Sequence, residues 1–253
     1  MRFLITLLVI SNPIFSQERD ISSYLFKNYI IKNDTLSYRF LEPYRKTKEN
    51  IPLLIFLHGS GERGNNNKSQ LIHGGMFFLK ETENKNFNSY VIFPQCKKNS
   101  RWSNHQIDPW ISSDSYDQTT LSDNSEILVQ LIFSLINEYN IDPKRIYIMG
   151  LSMGGYGTFD LTSKRPDIFA GAVAICGGAN ISILNRASSV PHWIFHGELD
   201  RVVPVNKSRQ AFELLSKINS HHLYTEYKNV YHNSWENVFE EGDFMGWLFS
   251  KSL

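Results

Sequence analysis

Three residues whose side chains can together attack a carbonyl carbon lie far apart in this chain: Ser152, Asp200 and His232. Ser152 is the centre of Gly150-Leu151-Ser152-Met153-Gly154, which directly follows the apolar run 145–149. A strand ending in G-x-S-x-G must turn sharply into a helix, and the turn pushes the serine hydroxyl into the open. Such a turn is strained, and strain of this kind accompanies functional positions. A serine hydroxyl is a poor nucleophile until a base takes its proton, which an imidazole can do. A carboxylate then fixes the imidazole tautomer and stabilises the transient imidazolium. The order Ser, Asp, His along the chain is one of the orders in which this constellation is built.

Acyl transfer also needs two backbone N–H groups aimed at the developing oxyanion. One is expected from Met153, after the serine. The other is assigned to Ser60, with Gly61 as the alternative, in His58-Gly59-Ser60-Gly61-Glu62-Arg63-Gly64. His58 and His196 are rival bases, but each stands at a strand end before a tight turn and reads as a structural hydrogen-bonding residue. His221 and His222 precede the last strand and fall at its wrong end. Asp160 and Asp167 read as surface residues in or after the helix that follows Ser152. No His, Cys or Asp grouping has zinc-ligand spacing, so neither metal nor cofactor is expected.

These residues need a scaffold that brings strand ends together. Continuous apolar runs at Leu53–Leu57, Tyr90–Phe93, Ile146–Met149, Ala170–Ile175 and Trp193–Phe195 read as strands buried on both faces, with Leu223–Tyr227 a more polar edge strand. Helical patterns separate them: Asp123–Tyr139 with Ser122 or Asp123 as N-cap, Met153–Arg165 closed by Pro166, Val205–Ile218, and a last one over Trp235–Phe249 interrupted by Gly242 and Gly246. Turn residues Asn33-Asp34 between Tyr29–Lys32 and Leu36–Phe40 predict an N-terminal β-hairpin. Alternating strands and helices imply right-handed crossovers and a mostly parallel sheet, an α/β class fold. Function then gathers at the carboxyl ends of the strands. Ser152, Asp200, His232 and the His58–Gly64 loop all follow such ends.

Composition bounds the answer. The 253 residues, 42% hydrophobic and 20% charged, suit one α/β domain over residues 17–253. Formal charge is +1, which argues against a nucleic-acid groove or a polybasic membrane surface. Residues 1–16 read as a secretory signal peptide, with Arg2 before the apolar stretch Phe3–Ile10. That stretch is too short to span a bilayer, which takes roughly 20 residues, so no stable membrane anchor is expected. Cys96 and Cys176 are expected to be free buried thiols on strands that are not neighbours. The long segment Cys96–Ser122 is the one expected to shape the site. The oligomeric state is not readable.

With these residues assembled, the chain resembles the α/β-hydrolase superfamily, and in particular the compact secreted esterases related to feruloyl and acetylxylan esterases and bacterial phospholipase/carboxylesterases. The resemblance rests on Leu57–Gly64, Phe93-Pro94-Gln95-Cys96 with Trp102, Gly150–Thr158, Pro166–Ala170, Ile175–Gly178, His196–Asp200 with Val203-Pro204, and His232–Trp235. It implies Ser152, Asp200 and His232 as the triad and places Gln95 and Trp102 along the substrate cleft. It also implies a secreted or periplasmic serine carboxylesterase acting on small-molecule or polysaccharide-linked esters, with a serine peptidase or amidase as the alternative and a non-catalytic binding protein as a third reading. Gly178–Pro191 is too short for the helical cap that many relatives carry, so an open site is expected.

Overall fold

The structure, a computed structural model, describes residues 19–32, 34–84, 86–104 and 120–253. The expected signal peptide, and residues 105–119 of the segment thought to shape the site, lie outside the described residues. Among those residues no helix is long and apolar enough to cross a membrane.

Eight strands form one sheet: β1 (Leu25–Ile31), β2 (Asp34–Leu41), β3 (Ile51–Leu57), β4 (Tyr90–Pro94), β5 (Ile141–Leu151), β6 (Gly171–Ile175), β7 (His192–Gly197) and β8 (Leu223–Tyr227). Their spatial order is β1-β2-β4-β3-β5-β6-β7-β8. The hairpin β1–β2 is antiparallel, as is β2 on β4, and every pairing from β4 to β8 is parallel. This is the α/β-hydrolase architecture that the sequence led us to expect. All seven residues of β3 are buried, the signature of a strand covered on both faces, whereas β8 is half-exposed at the sheet edge.

Alternation along the strands divides the core. Leu53, Ile55 and Leu57 of β3 face Ile127, Leu128, Leu131, Ile132 and Leu135 of α2 (Asp123–Glu138) and Leu161 of α3 (Met153–Lys164). Farther along the same face, Ala174 and Ile194 pack with Ala211 and Leu215 of α4 (Asn206–Ile218). Leu54 and Phe56 point the other way, to α1 (Gly75–Glu81), α5 (Trp235–Glu240) and α6 (Phe244–Phe249). Helix α2 starts where expected, the Ser122 hydroxyl accepting from the Ser125 N–H at 3.3 Å. Two differences from the sequence reading are local. Helix α1 has only two turns and carries no long apolar stripe. The C-terminal helix is divided at Gly242, while Gly246 sits inside α6.

Register fixes the working edge. Leu57 pairs with Gly150, Leu151 with Ile175, Ile175 with Phe195, and Gly197 with Tyr227. The last residues of β3, β5, β6, β7 and β8 therefore form one rim. Between β6 and β7 the chain makes only a 3-10 turn, Leu184–Ala187, so no cap is inserted at that crossover.

Both cysteines are free and buried. Among the buried polar residues, His58, His192 and His222 are held neutral by burial, which pushes them down from 6.5 to about 4, about 3 and about 4. Unfolded, each would bind a proton below about 6.5, so the unfolded state gains protons first as the solution is acidified. Stability from these three groups is fully present above that pH and is lost as pH falls through it toward 4. The thermal midpoint is therefore expected to drop steeply between pH 6.5 and 4, as measured by circular dichroism, and a flat profile across that window would contradict this reading.

Candidate active site

Ser152 joins the end of β5 to the start of α3 with φ 53° and ψ −114°, outside the conformations that a residue with a side chain ordinarily adopts. Its N–H donates to the Ile175 carbonyl at 2.9 Å, which anchors the turn to β6. Gly154, in the first turn of α3, must be a glycine because of its neighbours. A Cβ there would lie 2.0 Å from the Leu57 carbonyl oxygen. Its absence lets the N-terminus of α3 sit against the end of β3, where the His58–Gly64 loop begins.

Two loops at the other end of the rim bring the acid and base together. The Leu199 N–H donates to the Val230 carbonyl at 2.9 Å, and the Glu198 N–H to the Tyr227 carbonyl at 3.0 Å. Gly197 permits this closeness, since a Cβ there would meet the Tyr231 carbonyl at 2.3 Å. The loop after β8 consequently lies across the loop after β7, and His232 reaches Asp200.

The side chains form a continuous relay. His232 Nδ1 is 2.7 Å from Asp200 Oδ2, and His232 Nε2 is 3.0 Å from Ser152 Oγ. An ionised carboxylate can only accept, so Nδ1 carries the hydrogen and Nε2 accepts from the serine hydroxyl. Asp200 Oδ1 accepts from the N–H groups of Val202 and Val203 at 2.8 and 2.9 Å. Burial alone would raise the Asp200 pKa. Hydrogen bonds from His196, His232 and the Val203 N–H outweigh it and hold the carboxyl well below the usual carboxylate range. Asp200 thus stays ionised, and the His232 side chain, 21% exposed, keeps one edge toward solvent.

His196 plays a part that the sequence reading did not identify in full. It is fully buried, and its Nε2 lies 3.1 Å from Asp200 Oδ2 and 2.9 Å from the Val203 carbonyl. Both are acceptors, so Nε2 carries the hydrogen, and Nδ1 accepts from the Ser208 hydroxyl at 2.7 Å. His196 therefore orients the carboxylate from behind. His58 serves the opposite loop, donating from Nδ1 to the Gly59 carbonyl at 2.6 Å and accepting at Nε2 from the Cys96 N–H at 2.9 Å.

Of the expected oxyanion donors, Met153 adjoins Ser152 in the chain and Ser60 follows a glycine that approaches it in space. Met153 is the first residue of α3, where an N–H has no acceptor within its own helix. Ser60 opens the 3-10 turn Ser60–Glu62 directly after Gly59, whose added Cβ would stand 3.7 Å from Ser152 Cβ.

Gln95 and Trp102 sit behind the site rather than on its open side, being 1% and 0% exposed. Gln95 donates to the Glu62 carbonyl and to Asn66 Oδ1 and accepts from the Asn67 N–H, so it braces the loop after β3. Trp102 donates from Nε1 to the His58 carbonyl at 3.1 Å. Asp160 also departs from expectation. It is buried rather than on the surface, 2.8 Å from Lys164 Nζ, and burial pushes it up to about 6. Its place two turns into α3 puts it on the stripe that faces the body of the protein. Asp167 is exposed, as expected, and is paired with Arg165.

Among the described residues, Cys176, Asp200 and His232 offer possible metal-ligand atoms within 4.8 Å of one another. Burial, with Asp200 alongside, pushes the Cys176 thiol far up, whereas a metal takes the thiolate. His232 and Asp200 are moreover engaged with each other, so the set is a poor ligand trio. A groove of about 660 Å³ along the outer side of α4, lined by Gln210, Leu214 and Ile218 among others, includes none of the site residues.

Comparison with known proteins bears on the family and the fold. Residues 42–242 match the profile of a family described as phospholipase/carboxylesterase. The poly(3-hydroxyalkanoate) depolymerase C of Paucimonas lemoignei is 28% identical over 51% of this chain and 28% of its own length. The bifunctional acetylxylan esterase/xylanase of Neocallimastix patriciarum is 30% identical over 61% of this chain and 20% of its own. The chain thus spans less than a third of the length of these curated relatives. A solved structure described as a thermostable esterase superposes with a TM-score of 0.83 at 34% identity, covering 92% of this chain and 64% of that one. A ferulic acid esterase shares the fold alone, with a TM-score of 0.65 at 14% identity over 89% of this chain and 97% of its own.

The close approach at Gly154 can be tested directly. Gly154→Ala should push α3 away from β3 and destabilise the fold by about 1–3 kcal/mol or more, read as a loss in denaturant midpoint. Unchanged stability would mean that the contact with Leu57 is not tight.

Proposed function

The chain belongs to the phospholipase/carboxylesterase family of α/β-hydrolases, and from that premise we propose that it is a secreted serine carboxylic-ester hydrolase working through an acyl-enzyme. The observation that carries the reading is the relay from Ser152 Oγ through His232 to an ionised Asp200, set on a strained turn at the open rim of the sheet. Residues 17–253 form one hydrolase domain, and residues 1–16 are the signal peptide that directs it to the periplasm or the exterior.

In this mechanism Ser152 Oγ attacks the ester carbonyl carbon as its proton passes to His232 Nε2. The carbonyl π electrons move onto oxygen, and the N–H groups of Met153 and Ser60 donate hydrogen bonds to the oxyanion that forms. Each such donor lowers the barrier by roughly 2.7–4 kcal/mol. Collapse of the tetrahedral intermediate breaks the bond to the alcohol oxygen, which takes the proton from His232 Nε2. Water then gives a proton to the same nitrogen as its oxygen bonds to the acyl carbon, and the second tetrahedral intermediate collapses with cleavage of the bond to Ser152 Oγ, which takes that proton back from His232 and frees the acid. Asp200 remains ionised throughout and stabilises the imidazolium.

The substrates are small or carbohydrate-linked esters of the feruloyl or acetyl type. The uncapped rim between β6 and β7 supports this, because it admits an ester attached to something large. Relatives named as an acetylxylan esterase and a feruloyl esterase support it as well.

p-Nitrophenyl acetate should be turned over with a burst of p-nitrophenol, and a fluorophosphonate should label Ser152. Ser152→Ala should lower turnover on the order of a millionfold. Unchanged turnover in that variant would overturn the assignment, and faster cleavage of amides than of matched esters would make the protein a peptidase or amidase instead.

A further inference from the structure

On the His232 side of Ser152 stands a group of side chains that the relay does not use: Glu62, His73 and Trp235. Trp235 opens α5, three residues after His232, and its ring meets the His232 ring edge-on with centroids 5.6 Å apart. The same indole packs against His73 at 4.9 Å. His73 Nε2 is in turn 3.7 Å from Glu62 Oε1. Glu62 closes the circle, since a single carbon placed on Gly59 would lie 3.1 Å from Glu62 Oε2 and 3.7 Å from Ser152 Cβ. The carboxylate and the serine therefore both border the space in front of Gly59.

What marks this wall is its unmet hydrogen bonding. The Glu62 side chain is only 11% exposed, yet no group among the described residues donates a hydrogen bond to its carboxylate, and 3.7 Å is too long for His73 to do so. Trp235 Nε1 is buried with no acceptor among the described residues. Buried polar groups are nearly always paired, so the unpaired indole N–H calls for an explanation, and beside it the Glu62 carboxylate is left open to a donor from outside the chain.

We propose that Glu62, His73 and Trp235 form a subsite for the alcohol part of the substrate, and that this alcohol is a polyhydroxylated ring, a sugar. The inference rests on the acyl-enzyme reading above. In that reading the protonated His232 must deliver its proton to the leaving oxygen, so the alcohol lies on the His232 side of Ser152, where Trp235 is. An indole offers a flat apolar face to the C–H face of a sugar ring. A carboxylate that lacks a donor accepts from a ring hydroxyl, a charge-assisted bond of the stronger kind. A simple aliphatic alcohol could supply the apolar contact but would leave the carboxylate without a donor.

The test compares two esters of one acyl group: an acetylated xyloside and p-nitrophenyl acetate. Glu62→Gln keeps the side-chain shape and Trp235→Phe keeps an aromatic ring while shrinking the apolar face, and each should lower the ratio of kcat/KM for the xyloside to that for p-nitrophenyl acetate by fivefold or more, with the loss mainly in KM. A smaller change in the ratio, including a parallel loss on both esters, would overturn the subsite. In the unaltered protein, a free methyl xyloside should slow fluorophosphonate labelling of Ser152 competitively, a reading that does not depend on any variant folding. Absence of that protection would overturn it too. Should Ser152 fail to be labelled at all and neither ester be cleaved, the esterase reading itself falls. Labelling and cleavage with an unchanged ratio remove only the sugar subsite.

Discussion

The contact on which the rest of the site depends is the meeting of α3 with the end of β3. Helix α3 begins one residue after Ser152, and its first turn touches the Leu57 carbonyl at a distance that only glycine at position 154 permits. That contact sets two things at once. It holds Ser152 in a conformation with positive φ, at the open end of the sheet. It also places the Met153 N–H beside the loop that carries Ser60. Because β3 and β5 are paired in register up to Leu57 and Gly150, the arrangement is fixed by sheet hydrogen bonds as well as by helix packing.

Around that contact the protein spends its buried polar side chains on loop geometry. His58 and Gln95 tie the loop after β3 to the end of β4 and to itself, and Trp102 adds a bond to the His58 carbonyl. On the far side His196 holds Asp200, while Ser208 of α4 holds His196. Each of these groups is buried and paired, so moving one would leave another without its partner. The loops are in this way rigid parts of the scaffold, which keeps the groups they carry aligned.

Much of the fold was legible in the sequence because its strands are continuous apolar runs and its long helices carry clear periodic stripes. Helix α2 and its Ser122 cap, the edge position of β8 and the hairpin β1–β2 followed from pattern alone. Helix α1 did not, since two turns give no periodicity to read and its apolar residues serve a neighbouring aromatic cluster. Asp160 was misread as a surface residue because its type suggested solvent, whereas its position faces the protein and Lys164 supplies the charge that makes burial tolerable. Gln95 and Trp102 were placed near the site by likeness to a family, but likeness could not say which side of the loop they occupy.

By itself the sequence determined that the chain forms an α/β sheet of mostly parallel strands, and that Ser152, Asp200, His232 and the His58–Gly64 loop leave it at strand ends on one rim. These follow from local rules, since period, apolar run length and turn residues are read over a few positions. The tertiary structure decided what no local pattern holds: that His196 braces Asp200, that Gln95 and Trp102 lie behind the loop, and that Glu62, His73 and Trp235 gather on the His232 side of Ser152. Those groupings join residues distant in the chain, and only the packing of β3, α1 and α5 against one another brings them within a few ångströms.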